Sequence, residues 1–124
     1  MIKVLIIDDD QAITKYVKTC LEALGSYQVN EASSGQKGIW AAKNLDPDII
    51  FLDVMLPDIP GSDVAARLKE DLKDSKTPIV FMTGIISPEE TRQSEGVIGN
   101  EIFLAKPFTR GQMTDCIERY ARRR

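Results

Sequence analysis

The stretch V-L-I-I-D-D-D, residues 4 to 10, joins four apolar residues directly to three aspartates. A short, unbroken apolar run is typical of a strand that is covered on both faces, and the helical pattern after it completes a β-α unit. Carboxylates side by side repel one another, and burial of even one without a partner is unfavourable. The sequence therefore predicts that a cation lies at the end of this first strand.

The alternation of strand and helix continues along the rest of the chain. Apolar runs predict four more strands, at Tyr27 to Ala32, Asp48 to Val54, Pro78 to Met82 and Ile102 to Ala105. A helix is predicted after each strand, and the fourth helix, from about Pro88 to Glu95, is short and polar. Five β-α units in series indicate a single α/β domain, residues 1–124, with a parallel sheet and helices on both faces.

Composition argues against several classes of function. The chain has 19 acidic and 16 basic residues, a balance that does not suit a surface built to bind nucleic acid or anionic lipid. No run of about 18 apolar residues and no signal peptide can be recognised, so a cytoplasmic protein without a membrane span is expected. The chain contains no histidine, which excludes Ser-His-Asp catalysis and histidine-ligated zinc.

Three further features have no assigned chemistry. Cys20 and Cys116 are expected to be buried or half-buried thiols, and Trp40 a partly buried aromatic residue. The segment Arg122 to Arg124 is interpreted in two ways, as cations at a helix C-terminus or as the start of a linker to an output domain. No recognisable DNA-binding motif is present in the sequence.

Polar residues follow the apolar runs at the points where the predicted strands end. Ligands of such parallel sheets bind at the carboxyl ends of the strands. We therefore expect one edge of the sheet to gather Asp8, Asp9, Asp10, Asp53, Thr83 and Lys106. Mg²⁺ prefers a few carboxylate or carbonyl oxygens and keeps several waters, so the crowded acids predict a magnesium site.

Four short motifs, in this order and at these separations, resemble the receiver domain of two-component response regulators. They are Asp8-Asp9, Asp53 within D-V-M-L-P-D-I-P-G, Thr83-Gly84 and Lys106-Pro107-Phe108. The resemblance covers essentially the whole chain. It implies a flavodoxin-like, doubly wound, five-stranded parallel sheet in the order 2-1-3-4-5.

The resemblance implies that the chemistry is phosphoryl transfer onto a side chain. Asp53 would be the nucleophile that takes the phosphoryl group from a phosphohistidine of a sensor histidine kinase or phosphotransfer protein. Asp9 and Asp53, with the backbone carbonyl of Met55, would ligate Mg²⁺, and Asp8 would act mainly through a metal-bound water. The chain would catalyse its own phosphorylation and slow dephosphorylation, but would be mainly a signalling switch.

Other residues would hold the phosphoryl group and pass on the signal. By resemblance, Lys106 would pair with the phosphoryl oxygens and Thr83 would hydrogen-bond one of them. Phe103 matches the aromatic position that turns inward when the threonine moves, so Thr83 and Phe103 would form the switch. The signal would reach the face formed by helix 4, strand 5 and helix 5 of the predicted order. The Lys106–Pro107 bond is expected to be cis, as in the family.

The resemblance also implies partners. The upstream partner would be the kinase or phosphotransfer protein, and the downstream one a protein target or a missing output domain, with dimerisation on phosphorylation. Direct contact with nucleic acid or a membrane is not expected. Two departures from the family pattern affect the signalling surface, namely Pro60 in place of an acidic residue and the polar, glycine-containing segment Ser94 to Asn100.

Three alternative functions compete with this interpretation. A small phosphatase of the haloacid dehalogenase type also uses an aspartyl nucleophile and Mg²⁺, but its nucleophile lies on strand 1 and its chain is longer. A flavodoxin shares the fold, yet three aspartates would repel the phosphate of its cofactor. A receiver that serves as an unphosphorylated docking module is the third, and the intact set of site residues argues against it.

Overall fold

The computed structural model describes residues 1–84 and 101–122, together with the backbone of residues 97–98. Within them the strands are β1 (Ile2–Ile7), β2 (Tyr27–Ala32), β3 (Ile49–Asp53), β4 (Ile79–Thr83), β5 (Val97–Ile98) and β6 (Glu101–Ala105). The helices are α1 (Gln11–Glu22), α2 (Gly35–Leu45), α3 (Gly61–Asp71) and α4 (Arg110–Tyr120). The fourth helix predicted from the sequence lies outside the described residues. The helix labelled α4 here is therefore the fifth and last helix of that prediction.

The sheet has the order β2-β1-β3-β4-β6-β5. Strands β1 to β4 and β6 are parallel, which confirms the predicted order 2-1-3-4-5 with β6 as the fifth predicted strand. The prediction missed β5, which pairs with β6 in the antiparallel direction. Two apolar residues are too short a run to show the period of a strand, and this is why the pattern did not reveal it.

Each face of the sheet has its own hydrophobic core, because successive side chains of a strand point to opposite faces. The first core combines strand residues such as Ile6 and Phe51 with Val17 of α1 and Ile117 of α4. The second core combines the alternate strand residues with α2 and α3, and includes Leu5, Ile7, Ile50, Leu52, Ala42, Val64 and Leu68. Helices on both faces therefore bury β3, β4 and most of β1, as the unbroken apolar runs predicted.

Helix α2 packs unusually close to the sheet at Gly38. A Cβ atom at this position would lie 2.5 Å from Cδ1 of Ile7, whose side chain is fully buried. The helix can reach this distance only because residue 38 has no side chain. The approach places this part of α2 against the carboxyl end of β1.

The segment after α4 is attached to the opposite edge of the sheet through Arg122. Its guanidinium contacts the carboxylates of Asp46 and Asp48 at 3.0 and 3.3 Å, and its backbone N–H donates to the carbonyl of Asp48 at 2.9 Å. The other oxygen of Asp48 accepts from the backbone N–H of Lys3 at 2.8 Å. Arg122 is therefore part of a largely buried ion pair, and neither interpretation made from the sequence anticipated this role.

Among the residues with no assigned chemistry, the cysteines agree with the prediction and the tryptophan does not. Cys20 and Cys116 are half-buried free thiols, and burial raises the pKa of Cys116 to about 12. The prediction for Trp40 is wrong, since the relative exposure of this residue is 64%. No helix in the described part of the chain has the length and apolar character needed to cross a membrane.

Candidate functional site

Three carboxylates meet where β1 and β3 end. Asp8 is fully buried, Asp53 is 7% exposed and Asp9 is exposed. One oxygen from each of the three carboxylates can be chosen so that all lie within 4.8 Å of one another. Parallel pairing of β1 with β3 produces this arrangement, because it places the two carboxyl ends side by side. The predicted convergence of these acids is therefore present in the structure.

Asp10 has a different role from its two neighbours. Its side chain accepts a hydrogen bond from the backbone N–H of Ala12 at 3.0 Å and so caps the N-terminus of α1. Its own backbone N–H donates to Oδ1 of Asp8 at 2.9 Å. The third aspartate therefore starts the helix, and its amide fixes the orientation of the buried carboxylate of Asp8.

Lys106 supplies the cation that the crowded acids require. Its Nζ lies 2.9 Å from Oδ2 of Asp8 and 3.4 Å from Oδ2 of Asp53. Burial alone would lower the pKa of Lys106, but the hydrogen bond and charge of Asp8, together with the charge of Asp53, raise it. The lysine therefore carries a positive charge at neutral pH, and its side chain bridges the ends of β1 and β3.

The carboxyl of Asp53 is harder to ionise than an exposed aspartic acid. Burial raises its pKa, the hydrogen bond from the backbone N–H of Met55 at 3.1 Å lowers it, and the nearby charge of Asp8 raises it again. Lys106 also lowers this pKa, but the net shift is upward. A further positive charge at this point would therefore favour the ionised carboxylate.

Thr83 and Phe103 lie on neighbouring strands beside the acids. Thr83 ends β4, is 3% exposed, and accepts a hydrogen bond through its carbonyl from the backbone N–H of Lys106 at 2.9 Å. Phe103 of β6 pairs with Phe81 of β4, and their rings stack with centroids 5.4 Å apart. The two predicted switch residues are thus held on one pair of strands, β4 and β6.

Two other expectations concern the loops around the site. The Lys106–Pro107 bond is cis, which confirms the prediction. Met55 follows β3 and is 71% exposed, and its backbone lies next to Asp53 through the amide contact described above. Ile85, two residues after Thr83, and the fourth predicted helix lie outside the described residues, whereas β6 and α4, the other two elements of the predicted signalling face, lie within them.

The acids suit a hard divalent cation. Mg²⁺ binds carboxylate and carbonyl oxygens at short distances and retains waters, and an exposed Asp9 beside two buried acids leaves room for those waters. Lys106 offsets only part of the charge of the three carboxylates. The described residues that could hold a metal ion are therefore Asp8, Asp9 and Asp53. The carbonyl of Met55 as a further ligand stays an expectation from the resemblance.

A contact of the loop that follows β3 was not predicted from the sequence. Asp58, in the loop after β3, accepts hydrogen bonds from the backbone N–H groups of Gly35 and Gln36 at 2.8 and 3.0 Å. Its place in L-P-D-I-P-G reads as an ordinary turn residue. No sequence signal identifies this contact, because its donors are backbone amides that every residue type except proline carries.

Comparisons with known proteins agree with this geometry. A family model described as the response regulator receiver domain matches residues 4–118. The chain is 37% identical over 123 residues to the DNA-binding dual master transcriptional regulator RpaA of Synechocystis sp., covering 99% of this chain and 50% of that protein. It is 34% identical over 121 residues to the cell cycle response regulator CtrA of Brucella ovis, covering 98% and 50%. The chain spans about half the length of these relatives.

A solved structure of another protein has a similar fold. The chemotaxis protein CheY4 of Vibrio cholerae, crystallised at low pH, superposes with a TM-score of 0.80 at 28% identity, covering 97% of this chain and 98% of that one. A family model that matches nearly the whole chain and a curated relative above one-third identity point the same way. The chain belongs to the response regulator receiver domain family.

Proposed function

We propose that this receiver domain accepts a phosphoryl group on Asp53 in a Mg²⁺-dependent reaction. Receiver domains of response regulators interact with histidine kinases or phosphotransfer proteins, and phosphorylation by such a kinase is the family function. The observation that carries the assignment to Asp53 is its contact with Lys106 at 3.4 Å within the cluster that also contains Asp8 and Asp9. Asp53 is the member of this cluster that lies at the end of the central strand β3.

In the proposed reaction a carboxylate oxygen of Asp53 attacks the phosphorus of a phosphohistidine. The new bond joins oxygen to phosphorus, the phosphorus–nitrogen bond breaks, and the histidine leaves with the electron pair. When bound, Mg²⁺ supplies charge neutralisation between the carboxylates and the phosphoryl oxygens. Asp9, Asp53 and the carbonyl of Met55 would hold it, with Asp8 acting through a coordinated water.

Lys106 and Thr83 would stabilise the transferred group. The ammonium of Lys106 already lies between Asp8 and Asp53, so a phosphoryl group on Asp53 would meet a positive charge. The hydroxyl of Thr83 would donate a hydrogen bond to a phosphoryl oxygen. Thr83 and Phe103 would then form the switch, since both belong to the paired strands β4 and β6.

Mass spectrometry of the intact chain tests the assignment. After incubation with Mg²⁺ and acetyl phosphate, the wild type should gain one phosphoryl group and Asp53→Asn should gain none. Asp74→Asn removes the same charge from an exposed turn and should still be phosphorylated. EDTA should prevent the gain in every variant.

The outcomes separate the competing functions. Modification of Asp8 in place of Asp53 would favour a phosphatase of the haloacid dehalogenase type. A wild type that gains no phosphoryl group from either acetyl phosphate or a phosphorylated kinase would favour an unphosphorylated docking module. Phosphorylation of Asp53→Asn at the wild-type rate would contradict the assignment to Asp53.

The wider context of the domain is also a proposal. We place the chain in the cytoplasm as a single receiver domain, residues 1–124, acting on a protein target or on an output domain outside this sequence. RpaA, half of whose length the chain covers, is described as a DNA-binding transcriptional regulator. We propose that any contact with nucleic acid is made by such an output domain and that phosphorylation promotes dimerisation of the receiver.

A further inference from the structure

The loop between β3 and α3, residues 54–60 and here termed the acceptor loop, is tied to a second helix by Asp58. Oδ1 of Asp58 accepts from the backbone N–H of Gly35 at 2.8 Å, and Oδ2 accepts from that of Gln36 at 3.0 Å. Both donors belong to the first turn of α2. The carboxylate therefore joins a loop that begins at the predicted phosphoacceptor to a helix 22 and 23 residues earlier in the chain.

Both ends of the acceptor loop are fixed to the protein near the site. The N–H of Val54 donates to the carbonyl of Met82 at 3.3 Å, and the carbonyl of Val54 accepts from the N–H of Gly61 at 3.1 Å. A Cβ atom at Gly61 would lie 2.6 Å from Cα of Val54, so the loop closes tightly on itself. Asp58 adds an anchor at the far side of the loop, beyond Met55.

The loop and α2 are also in direct van der Waals contact at Gly35. A Cβ atom there would lie 3.3 Å from Oδ1 of Asp58, 3.2 Å from Cβ of Ile59 and 2.8 Å from Cγ2 of Val64. Glycine at the start of α2 therefore leaves room for the acceptor loop and for α3. The hydrogen bonds of Asp58 are formed at a contact with little freedom to shift.

Asp58 is not the only residue that accepts hydrogen bonds from the N-terminus of α2. Ser34 is the residue before the helix, and its side chain accepts from the backbone N–H of Lys37 at 3.2 Å. The hydrogen bonds from the backbone N–H groups of Gly35 and Gln36 hold the pKa of Asp58 below its usual range. Asp58 is thus a carboxylate at neutral pH, bound to amides that the helix leaves free.

We propose that Asp58 is a positioning residue for the phosphoacceptor site. By holding the acceptor loop on the N-terminus of α2, it fixes the backbone carbonyl of Met55 relative to Asp53. This inference rests on the proposed function, since it presupposes that Mg²⁺ is held by Asp9, Asp53 and the carbonyl of Met55. Outer residues that orient metal ligands commonly change metal affinity by on the order of tenfold or more.

The test compares Asp58→Ala with Ser34→Ala, which removes a hydrogen bond from the same helix end without releasing the loop. Mg²⁺ affinity is measured by following backbone amide shifts during titration with MgCl₂, and the melting temperature is recorded alongside. Asp58→Ala should weaken Mg²⁺ binding on the order of tenfold. Ser34→Ala should lower the melting temperature and leave the Mg²⁺ affinity near that of the wild type.

Phosphorylation kinetics give a second measurement. The rate with acetyl phosphate should need a higher Mg²⁺ concentration in Asp58→Ala, and should approach the wild-type rate when Mg²⁺ is saturating. Asp58→Asn keeps one acceptor oxygen and should lie between the wild type and Asp58→Ala. If Asp58→Ala does not fold, the Mg²⁺ affinity of Asp58→Asn decides the question.

Failure of this inference differs from failure of the proposed function. A wild type that binds Mg²⁺ and gains a phosphoryl group, together with an Asp58→Ala variant of equal Mg²⁺ affinity, would overturn the positioning role alone. A rate that stays low at saturating Mg²⁺, with unchanged affinity, would also overturn it. A wild type that neither binds Mg²⁺ nor is phosphorylated would overturn both.

Discussion

Met55 is a residue whose side chain bears on how long the phosphoryl group would last. Hydrolysis of an aspartyl phosphate needs a water aligned behind phosphorus, and in the family the residues two after the acceptor and two after the threonine lie nearest to that path. Here they are Met55, which is 71% exposed beside Asp53, and Ile85. Neither side chain can orient a water or accept its proton, so we expect slow decay.

A substitution at Met55 tests this expectation. Met55→Asn places a polar group beside the path and should speed decay severalfold. The gain should stay below the roughly hundredfold that a positioned general base supplies, because asparagine takes no proton. The double change Met55→Asn with Ile85→Glu should speed decay further, and Met55→Leu should leave it unchanged. Loss of radiolabelled phosphate gives the rates, and a wild-type lifetime of seconds at room temperature would contradict the expectation.

At the scale of single elements, the packing of α2 on β1 depends on Gly38. Glycine inside a helix is less favourable than alanine by about 0.5–1 kcal/mol, so propensity alone predicts that Gly38→Ala is stabilising. The added methyl group would meet Ile7 at 2.5 Å, and overpacking of a core is unfavourable by about 1–3 kcal/mol. We expect the steric term to win and Gly38→Ala to reduce the free energy of unfolding by roughly 1 kcal/mol.

The same substitution at Gly111 is the matched control. Gly111 lies in α4, and the nearest atom to a Cβ there would be 3.8 Å away, which is an ordinary contact. Gly111→Ala should therefore leave stability unchanged or increase it slightly. Urea unfolding of both variants measures the difference. Equal changes in the free energy of unfolding at the two positions would show that the close approach of α2 to Ile7 does not restrict the side chain at residue 38.

The attachment of the segment after α4 depends on Arg122. Arg122→Ala would remove a cationic partner of the carboxylate of Asp48, which is 4% exposed, while the N–H of Lys3 still donates to it. Loss of one partner of a buried charged group suggests a reduction in the free energy of unfolding of about 2 kcal/mol. Arg67→Ala removes a surface ion pair with Asp71 and should change the free energy of unfolding by less than about 0.5 kcal/mol. Indistinguishable urea midpoints for the two variants would contradict this reading.

At the scale of the whole molecule, the acid cluster should link stability to Mg²⁺. The three carboxylates repel one another when no metal is bound, so Asp9→Ala should melt at the same temperature as the wild type or higher in EDTA. Mg²⁺ should raise the melting temperature of the wild type, because a ligand that binds only the native state stabilises it. That rise should be much smaller in Asp9→Ala, and an equal rise would argue against the metal site.

Much of this architecture could be predicted from the sequence, because its signals are local. An apolar run such as Ile49 to Leu52 marks a buried strand, and the topology of a parallel sheet then brings the strand ends together. This is why Asp8, Asp53, Thr83 and Lys106 were expected at one edge before the structure was known.

The parts that were missed depend on contacts between distant residues that no local pattern encodes. Asp58 binds amides 22 and 23 residues earlier, and Arg122 pairs with Asp48, 74 residues away. The exposure of Trp40 could not be predicted either, since helical spacing does not say how far a neighbouring element extends over a surface.

The central strand carries an acid at both ends, and this has a consequence for how the sheet assembles. Residues 49–52 of β3 are fully buried, with Asp48 and Asp53 on either side of them. A strand covered on both faces has no alternation of polar and apolar side chains to prevent it from slipping along its neighbours. A slip in either direction would pull one carboxylate away from its partner, Arg122 or Lys106, and into an apolar interior, which is unfavourable by several kcal/mol. We therefore expect the two acids to hold β3 in one register, and the acid that we propose as the phosphoacceptor is then also one of the residues that align the sheet.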